Sequence, residues 1–161
     1  MVPASLQPGS GNLAVGNAKS FLQDGQYKPA ADGVSSSAVF ERKINGESVQ
    51  FEVVNSVLGF SDSQWKRVVA VFVNGQEWQF KDWLEKIGNQ KKYVELFLRV
   101  RGYYLHFQDL AGTLPDIVTK WNIKLLALQR NKRHQDVTVF TELWTDLEAF
   151  LKKERYPGLN F

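Results

Sequence analysis

Hydrophobic and polar positions change period several times along this chain, and each change marks an element. In "NAKSFLQDG", Phe21 and Leu22 form a short apolar face. Asn17 before them suits a helix N-cap, since its side-chain oxygen can accept from the free N–H groups of a first turn, and Gly25 suits the left-handed position that ends a helix. The spacing predicts a helix from Asn17, with Lys19 in its first turn. Residues 28–38, "KPAADGVSSSA", are small and polar and read as a loop. The pattern then alternates in "VFERKINGESVQFEVVNSV", on both sides of Asn45-Gly46. Alternation gives each strand one buried face, and Asn-Gly favours the positive φ angles of a two-residue hairpin turn. Strands are expected near 39–44 and 48–55.

Ser61 with Gln64 three residues on forms a capping box for a short helix. "RVVAVFV", Arg67 to Val73, is continuously apolar and rich in β-branched residues, as a strand buried on both faces must be. "NGQEWQFKDW" leaves it through a turn. Helical spacing returns over 90–100 through Tyr93, Val94, Phe97 and Leu98. "GYYLHF" predicts a strand. In "TLPD", Thr113 as cap, Pro115 in the first turn and Asp116 near the positive helix end predict a helix start. "NIKLLALQ" predicts another strand. Asp136 is expected to cap a long last helix, whose stripe is Phe140, Leu143, Trp144, Leu147, Phe150 and Leu151. Strands alternating with helices after residue 67 imply a parallel sheet with helices on its faces, and the hairpin adds an antiparallel edge, so the sheet is mixed. The expected organisation is a flexible linker over 1–16, one domain over 17–155 and a tail over 156–161.

Composition fits a single soluble globular domain: 161 residues, 43% hydrophobic and 23% charged. No apolar run is long enough to span a bilayer, and the start lacks the layout of a secretory signal, so no membrane partner is expected. With no cysteine, disulfide and thiolate chemistry are excluded. A net charge of +3 says little by itself, but its distribution is uneven. Lys and Arg crowd residues 86–101, and "RNKRH", Arg130 to His134, forms a second basic cluster. Either cluster is a solvated face or an anion-binding patch.

Three fragments stand in the order of a GTPase. "GSGNLAVGNAKS", Gly9 to Ser20, approaches a phosphate-binding loop. "DLAG", Asp109 to Gly112, fits D-x-x-G. "NKRH", Asn131 to His134, stands after a strand where N-K-x-D would. Chemistry argues against all three. Asn17 and Ala18 separate Gly16 from Lys19, and two extra residues turn a side chain by roughly 200° about a helix axis, away from a phosphate held at the loop. The N-K-x-D motif needs a carboxylate to accept from guanine, and His134 cannot supply one. No nucleotide cofactor is expected. The two histidines, His106 and His134, are far apart and lack cysteine partners, so no metal site is expected. His106 reads as a strand residue with a satisfied hydrogen bond. No nucleophile elbow occurs. An enzyme is the less favoured class, and no catalytic residue is assigned.

"WKRVVAVFVNGQEWQFKDW", Trp65 to Trp83, closely resembles the C-terminal domain family of parafibromin, a subunit of the polymerase-associated factor complex. "NAKSFLQDGQYKP", "GYYLHF", "KWNIKLLALQRNKRHQD" and "LWTDLEAF" resemble that family's opening helix, later strand, strand with basic loop and final helix, in order. The resemblance implies an α/β Ras-like, three-layer fold (P-loop GTPase-like) with a mixed, mostly parallel central sheet flanked by helices and no functional P-loop. It implies a role in RNA polymerase II transcription elongation in the nucleus. It also implies partners: other subunits of the complex, chromatin, and phosphorylated repeats of polymerase II or its elongation factor. The chain departs from the pattern at Lys66, where the family carries an acidic residue, and in "LEKIGNQKKYVEL", which differs in length and charge.

Two groups of residues are the candidate binding site. Arg130, Lys132, Arg133 and His134 can offer donors to phosphates or acidic peptides, arginine as a bidentate fork and lysine as a point charge. Arg133→Glu is expected to weaken such binding without unfolding the domain. Trp78, Gln79 and Phe80 of "EWQF" are the second group. If that segment is extended, alternation places Trp78 and Phe80 on one face, either as core or with Trp78 as a partly exposed anchor. Direct nucleic-acid contact through the basic loops is the alternative reading, and a GTPase-like nucleotide binder the lesser one.

Overall fold

The computed structural model describes residue 13 and residues 15–28, 37–87 and 93–154. Along them run α1 (Val15–Leu22), β1 (Ser37–Ile44), β2 (Glu47–Val54), α2 (Asp62–Trp65), β3 (Ala70–Phe72), α3 (Lys81–Ile87), α4 (Tyr93–Arg99), β4 (Arg101–Phe107), α5 (Asp116–Lys120), β5 (Lys124–Leu128) and α6 (Asp136–Glu154). The expected linker over 1–16 and tail over 156–161 fall almost wholly outside these residues. Of the expected linker, Leu13 is described and buried, and Val15 and Gly16 already belong to α1, Val15 buried and Gly16 exposed.

Strands β3, β4 and β5 form a parallel sheet in that order. The hairpin β1–β2 is antiparallel with Ile44 opposite Glu47. Its turn uses positive φ at Asn45 (52°) and Gly46 (86°), the angles that the Asn-Gly pair was expected to supply. The hairpin forms its own two-stranded sheet, and among the described residues no ladder joins it to the parallel one. It is held instead by its inward face, where Phe40 stacks on Phe51 at 5.5 Å and both meet Trp144 of α6 at their edges.

The parallel sheet divides the core in two. Ala70, Phe72, Tyr103, Leu105, Phe107, Leu126 and Leu128 face a cluster with α1, the hairpin and α6. Val71, Val73 and Tyr104 face the other way, onto α3, α4, α5 and Phe80. This is the period of two at work: neighbouring residues of a doubly covered strand serve opposite layers. Gly102 lies where α4 and the chain before β5 close on the sheet. A Cβ there would fall 2.4 Å from Ile123 and 2.8 Å from Phe97, so only glycine lets these layers meet.

Several local expectations are corrected. Helix α1 begins two residues before Asn17, so Asn17 is a buried helix residue whose side-chain amide donates to the Lys28 carbonyl (2.8 Å) rather than a cap. Lys19 consequently lies in the last turn, not the first. On α4 the inward stripe is Tyr93, Leu96, Phe97 and Val100, the i, i+3, i+4, i+7 set, while Val94 and Leu98 are 62% and 56% exposed. Helix α5 starts at Asp116 without a side-chain cap, and Thr113 instead closes a 3-10 turn over Gln108–Thr113. The capping box of Ser61 and Gln64 is present in both directions.

Polar clamps tie α6 across the first cluster. Arg101 donates to Asp146 from Nε (2.8 Å) and Nη2 (3.1 Å), and Tyr103 donates its hydroxyl to the same carboxylate at 2.7 Å. Arg42 lies 4.3 Å from the Trp144 ring centroid and pairs with Glu148. Trp144 donates its indole N–H to the Leu22 carbonyl at 3.0 Å, which joins α6 to the end of α1.

Candidate functional site

Strands β4 and β5 are parallel, so their carboxyl ends leave the sheet at one edge. In open α/β sheets that edge is where loops gather to meet ligands. Asp109 follows β4 there and Arg130 follows β5. Arg130 Nε donates to both oxygens of Asp109, at 2.9 and 3.2 Å. Its guanidinium also lies 3.9 Å from the centroid of Phe107, the last residue of β4. The fragment "DLAG" is thus bonded to Arg130, the residue just before "NKRH".

Arg133 sits in a 3-10 turn, Arg133–Gln135, that leads into α6. Its Nη2 donates to the Tyr27 carbonyl (2.8 Å) and to Asp136 Oδ2. The Tyr27 amide donates to that same Oδ2 at 3.2 Å. Tyr27 is therefore gripped through both backbone groups by two side chains more than a hundred positions along the chain. Its ring meets Phe107 edge-on at 5.6 Å, and Arg133 lies 5.1 Å from the Tyr27 centroid and 5.6 Å from that of Phe107. Burial pushes the Tyr27 phenol above its ordinary value, against the pull of the Arg133 and Arg130 charges. Asp136 is the first residue of α6, not its cap. Its buried side chain turns to Tyr27 and Arg133, and Oδ1 has no hydrogen-bond partner among the described residues.

The basic loop therefore contains two kinds of residue. Arg130 and Arg133 converge on Phe107 and each pairs with a carboxylate of the same chain, Arg130 at the exposed surface and Arg133 half-buried, whereas the exposed Lys132 and His134 make no ion pair among the described residues. The expectation that Arg133→Glu would spare the fold meets a physical objection: the new carboxylate would face the buried carboxylate of Asp136.

The aromatic group packs apart from the basic loop: Phe80 belongs to the cluster on the other face of the sheet from Phe107. Residues Glu77–Phe80 form a 3-10 turn, not an extended segment, so the alternation argument does not apply. Phe80 is fully buried, with Trp83, Tyr93, Phe97 and Trp121 around it at 5.4–6.0 Å. It is core. Gln79 staples its own turn, accepting from the Asn74 amide (3.0 Å) and donating to the Phe72 carbonyl (3.1 Å). The side chain of Trp78 lies outside the described residues. His106 is buried and its Nδ1 donates to the Phe107 carbonyl at 3.0 Å, as a satisfied strand residue should.

A family described as "RNA pol II accessory factor, Cdc73 family, C-terminal" matches residues 1–150. This chain belongs to the Cdc73 C-terminal family. It is 33% identical over 167 residues to the "Protein CDC73 homolog" of Arabidopsis thaliana, covering 97% of this chain and 38% of that protein. It is 33% identical to the "Cell division control protein 73" of Saccharomyces cerevisiae, covering 89% of this chain and 36% of that one. The chain thus spans less than two fifths of these relatives. A solved structure, "The conserved domain of yeast Cdc73", superposes with a TM-score of 0.81 at 31% identity, covering 96% of both chains. The parafibromin resemblance and the Ras-like α/β architecture both hold, and the family places the Cdc73 domain among RNA polymerase II accessory factors.

Within this Cdc73 domain, Lys19 is exposed on the last turn of α1, and Gly16 is part of that helix rather than of a loop entering it. No helix among the described residues is long and apolar enough to cross a membrane. Sequence reasoning missed Asp109, Phe107 and Tyr27 as parts of the basic loop's frame. Asp109 was visible as the first residue of "DLAG", and Phe107 as the aromatic ending a strand. Tyr27 had no signal, because what Arg133 grips is its backbone.

Proposed function

We propose that this Cdc73 C-terminal domain is a non-enzymatic recognition module of the polymerase-associated factor complex. It acts in RNA polymerase II transcription elongation in the nucleus, and it attaches the complex to transcribed chromatin through phosphorylated repeats of the polymerase or its elongation factor. The observation that carries this reading is the basic loop at the carboxyl edge of the sheet. The loop is braced by Arg133, while Arg130, Lys132 and His134 are left exposed. A braced loop loses little conformational entropy on meeting a ligand. The engagement of Asp109 with Arg130, the place of Lys19 on an exposed helical turn, and His134 in place of a carboxylate all favour recognition over nucleotide hydrolysis.

The test is calorimetry of the domain with phosphorylated and unphosphorylated repeat peptides. The phosphorylated form is expected to bind more tightly, and the double exchange Lys132→Glu with His134→Ala to weaken it about fivefold or more while leaving the melting temperature in place. Equal binding of the two peptides defeats the reading. The basic loop also supports direct nucleic-acid contact. A competition between single-stranded RNA and the phosphopeptide separates the two, since both depend on salt.

A further inference from the structure

The two arginines of the basic loop are not equivalent. Arg133 is locked by the buried carboxylate of Asp136 and by the Tyr27 carbonyl. Arg130 makes its ion pair with Asp109 and rests on the Phe107 ring, and the Arg130 and Asp109 side chains are about half exposed, at 46% and 56%. We propose that Arg130 is the phosphate-gripping residue of this loop and that Asp109 is its resident stand-in. A phosphoserine-bearing peptide then docks by displacing Asp109 rather than by entering an empty site. This inference rests on the phosphopeptide reading above.

Three observations carry it. Phe107 supports the Arg130 guanidinium from below at 3.9 Å, a cation–π contact independent of Asp109. The fork therefore keeps its orientation when its carboxylate leaves, and its reorganisation cost on binding is small. The Asp109–Arg130 pair is solvent-exposed, and exposed pairs contribute little net stability, so exchange needs no opening of the core. A phosphoserine near neutral pH carries up to two negative charges and three acceptor oxygens, whereas Asp109 offers one charge and two oxygens. Guanidinium prefers the former when its plane is accessible. Asp109 arises from the loop after β4 and Arg130 from the loop after β5, so the exchange takes place between two adjacent loops at the sheet's ligand edge. With Asp109 bound, the domain also disfavours stray anions of low charge, which makes Asp109 a determinant of specificity as well as of affinity.

The test compares wild type, Asp109→Asn and Glu154→Gln for binding a repeat peptide with one phosphoserine and its unphosphorylated form. Glu154→Gln makes the same change of net charge at the far end of α6, about 27 Å along the helix from Asp136. Asp109→Asn is expected to tighten the phosphopeptide about threefold to tenfold and to leave the unphosphorylated peptide unchanged. Glu154→Gln is expected to change neither. In wild type, the Arg130 Nε–H resonance is expected to move on adding phosphopeptide. An unchanged phosphopeptide affinity in Asp109→Asn overturns the inference, as does an equal gain from Glu154→Gln. An equal gain for single-stranded RNA makes the ligand a nucleic-acid backbone and overturns it too. If wild type prefers the phosphopeptide while Asp109→Asn adds nothing, the displacement of Asp109 is refuted and the phosphopeptide reading stands. If no protein distinguishes the two peptides, the underlying phosphopeptide reading has failed first.

Discussion

Removing the carboxylate of Asp146 is the sharpest test of how the layers are joined. Three charge-assisted hydrogen bonds meet there, two from Arg101 and one from Tyr103. Breaking a buried ion pair by deleting one partner costs about 3–5 kcal/mol, and an exposed pair is worth about 0.2–1 kcal/mol. The Arg101 and Asp146 side chains are 19% and 22% exposed, nearer the buried limit. Asp146→Ala is therefore expected to destabilise by about 2–3 kcal/mol, and Asp146→Asn, which keeps an acceptor for Tyr103, by about 1–2 kcal/mol. Urea titration with an unchanged slope is the assay. The pH dependence gives an independent check. Burial alone would raise the Asp146 carboxyl, but hydrogen bonds from Arg101 and Tyr103, with the charges of Arg101 and Lys124, hold it below the usual carboxylate range. A lowered folded value means the contribution is present above the unfolded value of about 3.9 and is lost as pH falls through the folded one. The gap between wild type and Asp146→Asn should thus be full at neutral pH and close in acid. A gap that persists at the acid end, or an Asp146→Ala variant as stable as wild type, refutes the reasoning.

Arg133→Ala should lower stability by about 2 kcal/mol, because it strands the buried Asp136 carboxylate and frees the Tyr27 carbonyl, and a melt followed by circular dichroism reads this directly. Gly102→Ala should cost about 1–3 kcal/mol, since its Cβ collides with Ile123 and Phe97, and a melting temperature equal to wild type would contradict the close approach. In alkali, burial and the Asp146 bond raise the Tyr103 phenol. Its contribution is complete below the unfolded value of about 10 and is lost as pH rises beyond it. Tyr103→Phe should remove that part of the alkaline decline.

Strands and their order were legible because they rest on local periodicity. The Asn-Gly turn, the capping box and the doubly buried "RVVAVFV" run each carry their cause within a few residues. Failures came where the deciding partner is distant. Asn17 has every local attribute of a cap, but Leu13 and Val15 find core to enter, so the helix starts earlier. On α4 the choice between Val94 and Leu96 as inward residues depends on which face meets the sheet, and the apolar spacing permits both. Helix α3 was not predicted, since "KDWLEKI" is too short for its period to stand out. The basic loop was visible as a cluster of charge. The division of labour within it was not, because the partners of Arg130 and Arg133 are Asp109, Phe107, Tyr27 and Asp136, and all but Asp136 lie far from them in the sequence.

The grip of Arg133 on Tyr27 has a mechanical corollary. The loop that displays Lys132 shares a bracket with the strand end at Phe107 and with the chain leaving α1, and α1 is bolted to α6 through Trp144 and Leu22. A partner that tugs on the loop loads several layers of the domain at once instead of stretching one flexible segment. Under tension, then, the loop should keep its shape until α1 and α6 yield with it.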